Sequence, residues 1–212
     1  MTNYLQRILI VPSLAILASV AFADSPLTST DFYQAYLDVP VVADHVEAEM
    51  NEDIFNILHS DEYEVDVKVA IINAMGWTFE GQDNAAVYMY FYIDTSGLDV
   101  VAPDDMSGEE LLCLAYMVSM DDYFSMSPIS PGGSGVFGMS GVELAEAAAE
   151  RTPDDFTVRL ISALILSQKA MDSDWGKIYE VVDFVMKEAL VRNMRDEAID
   201  IILDYIGLYS GY

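Results

Sequence analysis

Carboxylates dominate the side chains of this chain that could do chemistry. Glu47, Glu49, Glu52 and Asp53 form one cluster, and Asp61, Glu62, Glu64 and Asp66 a second. Asp104, Asp105, Glu109 and Glu110 form a third. Paired carboxylates cleave glycosidic bonds without any local motif, one as a proton donor and the other as base or nucleophile. The same groups attract cations. The third cluster is partly explained by a helix start, where acids meet the positive end of the helix dipole. Asp121 and Asp122 lack that explanation. They close a predicted helix, where carboxylates face the negative end of the dipole. Either a solvated helix end tolerates that cost, or a cation or a basic partner offsets it; on the second reading Asp121, Asp122 and the adjoining Tyr123 are candidate partner-binding residues.

Other chemistry finds little support. His45 and His59 are the only histidines and do not have metal-ligand spacing. Gly132-Gly-Ser-Gly-Val136 lacks the last glycine of a nucleophile elbow. Gly176-Lys177 lacks the rest of a phosphate loop. No acid run follows the calcium-loop spacing. Cys113, the single cysteine, lies in Leu111-Leu-Cys-Leu-Ala115 and reads as a small buried hydrophobe rather than a nucleophile. No catalytic, metal-binding or cofactor-binding residue is assigned, and no cofactor is implied.

The elements that must position these groups read as helices. Ser107 to Glu110 and Ser140 to Glu143 fit the capping box, and Thr152-Pro-Asp-Asp155 places a cap, a proline and acids at a helix start. Helices are expected near 30–38, 41–59 (broken around Asn51), 64–77, 83–94, 108–123, 141–150, 153–171, 174–192 and 195–208. Val87-Tyr-Met-Tyr-Phe-Tyr-Ile93 has strand-like residue types. A lone strand would leave backbone groups unpaired, which favours helix there. Residues 125–140 have loop composition and are expected to be the most mobile internal segment. Val136 and Phe137 are unusual in a linker. They either tuck onto the core or offer a partner an apolar contact, and so join the candidate partner-binding residues.

Three apolar stretches recur at spacings of 45 and 46 residues: Val67–Met75, Leu112–Met120 and Val158–Leu166. Val87 and Ile178 each open a second apolar stretch 20 residues after the first and third. On this spacing the chain resembles, weakly, a short HEAT- or armadillo-like array from about Glu64 to the C-terminus. The resemblance implies an all-α fold of antiparallel helix pairs, each burying one face against the next.

Residues 1–23 have the form of a secretory signal peptide: Arg7, an apolar run from Ile8 to Phe22, and Ala21-Phe-Ala23 before Asp24. The mature chain is expected to begin at Asp24 as a single acidic helical domain over 24–212, periplasmic or extracellular, without stable membrane insertion. From Asp24 to Glu150 there are 25 acids and one base, Lys68; from Arg151 to Tyr212 there are 11 acids and seven bases. Such a surface repels nucleic acid and anionic lipid. It favours a basic protein or cationic ligand, the alternative being an acidic surface that serves only solubility or a salty habitat. The leading expectation is an exported helical interaction protein, one form of which is an immunity-type inhibitor of a cationic toxin or cell-wall enzyme. The alternatives are a carboxylate-dependent envelope or polysaccharide hydrolase and a structural envelope protein. The lack of these motifs weighs against an enzyme.

Overall fold

A computed structural model describes residues 25–212, so the signal-peptide reading of residues 1–23 lies outside the described residues. Among the described residues the fold is all-α, with nine α-helices and no strands. In chain order they are α1 (Pro40–Ala43), α2 (Glu52–His59), α3 (Val65–Met75), α4 (Asn84–Ser96), α5 (Gly108–Asp121), α6 (Gly141–Arg151), α7 (Phe156–Ala170), α8 (Trp175–Lys187) and α9 (Asp196–Ile206). None is long and apolar enough to cross a membrane.

The three recurring apolar stretches lie in α3, α5 and α7, whose residues are almost all buried. A helix apolar on every side must be surrounded. Helix α5 accordingly packs against α2, α3, α4, α6 and α7. Helices α5 and α6 pair closely, as do α7 and α8. In the α5–α6 contact a Cβ on Gly141 would stand 2.2 Å from Ser119 Oγ, so only glycine allows this approach. The first unit departs from the pairing: α4 packs on α2 and α5 instead of forming a close pair with α3.

Residues 87–93 are helical. Ala85, Tyr88, Met89 and Tyr92 form the buried face of α4 at helical spacing, while Tyr90 points outward. Both capping boxes form: Ser107 Oγ accepts from Glu110 N and Ser140 Oγ from Glu143 N. The expected Thr152 start is corrected. Thr152 ends α6, its hydroxyl donating to Ala148 O, and Asp155 caps α7 by accepting from Val158 N. The break near Asn51 spans residues 44–51, with Asn51 capping α2 through Ile54 N. The expected helix at 30–38 is a 3-10 turn, Phe32–Tyr36. The one expected at 174–192 stops at Lys187, beyond which Glu188 turns to pair with Arg159 at 3.0 Å.

Residues 125–140 contain a 3-10 turn, Gly135–Gly138, and are fastened to the body. Val136 N donates to Val101 O, Gly141 N to Met126 O, and Ser130 N to Phe137 O. Val136 is 0% exposed and takes the core option, so its side chain is not available to a partner. Phe137 packs against the core while partly exposed.

Candidate partner-binding site

Asp121, the last residue of α5, lies against the first turn of α4. Its Oδ2 accepts from Ala85 N at 2.7 Å, so a carboxylate from one helix caps the start of another. That contact answers the dipole objection raised by its position in α5. The residue is 8% exposed, and its Oδ1 is buried without a hydrogen bond. Burial pushes the carboxyl up to about 6; the amides of Ala85 and Asn84 oppose the rise, and the charge of Asp83 adds to it.

Asp122 lies closer to solvent. Burial works against its ionised form, but bonds from Ser125 and Ser127 outweigh it and hold the carboxyl below its usual range. Ser125 donates through N at 3.3 Å and through Oγ at 2.5 Å. Tyr123 is buried, and its ring packs edge-on against Trp77 at 4.9 Å. Of the five sequence-selected residues, Asp121, Asp122 and Tyr123 therefore belong to one junction. Val136 is core, and Phe137 is partly exposed on the 125–140 segment.

Two segments build this junction, 77–83 between α3 and α4 and 121–129 after α5. They are held together by Gln82 N donating to Asp121 O. Between them lies a cavity of about 180 Å³ with Asp83, Asp121, Asp122, Gln82 and Ser127 among its lining. On the same two segments, Phe79 is 61% and Phe124 56% exposed. They form a chain of ring contacts, Phe79 to Trp77 at 5.1 Å, Trp77 to Tyr123, and Tyr123 to Phe124 at 4.4 Å. Sequence reasoning passed over Trp77, Phe79 and Phe124. The available signal was large aromatics in the Gly76–Gly81 connection and directly after a helix end.

Two other chemical groupings are structural. His59 Nε2 lies 3.3 Å from Glu110 Oε1. The hydrogen bond from His59 holds Glu110 down to about 2 against its burial, with help from Ser107. Glu110 is thus occupied by its capping box and its histidine. Cys113 is buried, and burial pushes its thiol up to about 12, which removes the thiolate needed for reaction. Among the described residues no group of three or more His, Cys, Asp or Glu side chains could hold a metal ion.

The acidic excess reaches the surface. Lys68, the only base between Asp24 and Glu150, is 5% exposed and donates to Glu109 at 3.0 Å. Two bases from the C-terminal part reach across, Arg151 to Asp104 and Arg195 to Asp38. Among the described residues, no other acid of 25–150 pairs with a lysine or arginine. No protein-family model, curated protein or solved structure matches this chain.

Proposed function

We propose that the mature chain, from Asp24, is an exported interaction protein that binds a basic protein through its acidic N-terminal two-thirds. The burial of Lys68 is the observation that carries this reading. It removes the one basic side chain which residues 24–150 could offer solvent, leaving their acids to set the local field. An inhibitor of a cationic toxin or cell-wall enzyme fits that field. The three buried helices serve as equivalent positions in a HEAT-like array. The test is binding of the mature protein to immobilised basic, neutral and acidic proteins of similar size. Selective, salt-sensitive retention on the basic protein supports the reading, and equal retention on all three counts against it.

A second reading is favoured by one observation. Asp121 is raised to about 6 beside a lowered Asp122, and carboxylates with separated titration ranges suit acid–base work. The cap to Ala85 weighs against it, because it ties Asp121 to the backbone. Incubation with purified peptidoglycan and soluble polysaccharides decides the matter. The binding reading expects no product, whereas hydrolysis abolished by Asp121→Asn would establish the enzyme.

A further inference from the structure

We propose that the groove between α6 and α8, floored by α7, takes up an amphipathic helix of the basic partner, with an apolar stripe flanked by lysine or arginine. This rests on the proposed binding of a basic protein and names the element of it that is held.

Helices α6 and α8 both pack on α7 but not closely on each other. The trough left between them measures about 780 Å³. Its apolar surface comes from Ala145 and Ala149 on α6, Ala163 and Leu166 on α7, and Val181 and Phe184 on α8. Phe184 is 60% exposed. An aromatic ring held out along an apolar groove stays wet until another surface covers it.

The rim decides the charge of the occupant. Glu146 and Glu150 stand four residues apart on α6, hence on one side of that helix, and Glu180 lines the trough from α8. All three are exposed, and none pairs with a basic side chain among the described residues. The two bases of the lining have acids of their own: Arg159 lies 3.0 Å from Glu188, and Lys177 3.9 Å from Asp174. An apolar trough edged by three unpaired carboxylates complements an apolar stripe edged by cations. The floor from Arg159 to Leu166 is about 10 Å long, room for about two turns of helix. A small molecule is held by burying most of its surface. A helix lays one stripe into an open trough and keeps its other face in water.

The test uses mature protein with isotopically labelled alanine methyls. A leucine–lysine peptide of about four helical turns, amphipathic as a helix, is titrated at low salt. A shuffled peptide of the same composition and a leucine–glutamate counterpart serve as controls. Calorimetry reports binding anywhere, and the methyl resonances report where. The leucine–lysine helix should bind several-fold tighter than either control. It should shift the resonances of Ala145, Ala149 and Ala163 and leave those of Ala70 and Ala74, in α3, in place. Phe184→Ala should weaken binding about tenfold, and Glu146→Gln with Glu150→Gln several-fold. Asp94→Asn with Asp99→Asn, an equal loss of exposed charge outside the groove lining, should change it by less than about twofold. Circular dichroism confirms that each variant is folded. Equal binding of the two lysine peptides, with the groove methyls unmoved, would overturn this inference and leave the acidic-surface reading intact. A leucine–glutamate helix that binds the groove as tightly would overturn the basic occupant. Groove-methyl shifts that follow protein concentration alone would assign the groove to a second copy of the chain and overturn the inference likewise. An absence of calorimetric binding by any of the peptides at low salt would overturn both readings.

Discussion

Asp121 concentrates the molecule's chemistry in one carboxyl group. It ends α5, starts α4 and lines the cavity between the two segments. Its raised titration range has a consequence for stability. The folded state holds this proton more tightly than the unfolded chain, whose carboxyl titrates near 3.8. The stability contributed by the protonated group is therefore complete below about 3.8 and is lost as pH rises through about 6. The loss amounts to roughly 3 kcal/mol, since each tenfold change in proton affinity is worth about 1.4 kcal/mol. Asp121→Asn keeps an oxygen for Ala85 N and removes the titration. Urea unfolding of both proteins from pH 4 to 7 should show the variant gaining on the wild type as pH rises; a constant difference would contradict the assignment. Glu110 has the opposite sign. Its carboxyl is held down to about 2 from 4.5, so its contribution is present above 4.5 and fades as pH falls through about 2. Glu110→Gln should flatten the acid limb of the stability curve at those values.

At the scale of elements, the ends of the helices were more legible than their partners. Ser107 and Ser140 announce α5 and α6 because a capping box is written in four consecutive residues. Ser107→Ala and Ser140→Ala should each lower stability by about 1 kcal/mol, measured by denaturant unfolding. The start of α4 was not legible in the same way, since its cap comes from Asp121, 36 residues further along. Thr152 misled for a related reason: its pattern fits a helix start, but its hydroxyl closes the helix before. The glycine-rich stretch 125–140 reads as a free loop by composition. Its anchor is Gly135, at φ +60, where an added Cβ would meet Val101 O at 2.0 Å. Gly135→Ala should cost at least about 1–3 kcal/mol of strain and release Val136 from the core. Limited proteolysis should then cut 125–140 faster in the variant than in the wild type. Equal rates would mean that the loop is not held by this contact.

Across the whole molecule, the all-α class was readable from the capping boxes and from apolar stretches recurring at 45 and 46 residues, which lie in α3, α5 and α7. How the shell closes around them was not readable, because α4 settles on α2 and α5 through contacts distant in sequence. The charge skew was countable from the sequence, but the burial of Lys68 that sharpens it was not. The aromatic chain beside Asp122 joins residues from two separate connections, Trp77 and Phe79 with Tyr123 and Phe124, which only the fold brings together. The central claim is that this acidic region meets a basic partner through its field. Its most direct test is the association rate of the mature protein with an immobilised basic protein, followed from about 20 to about 300 mM salt, over which screening shortens sharply. A rate that falls steeply with salt, and falls further when Asp122 and its neighbouring surface acids are replaced by their amides, is the predicted result. A rate indifferent to both salt and these replacements would contradict the account.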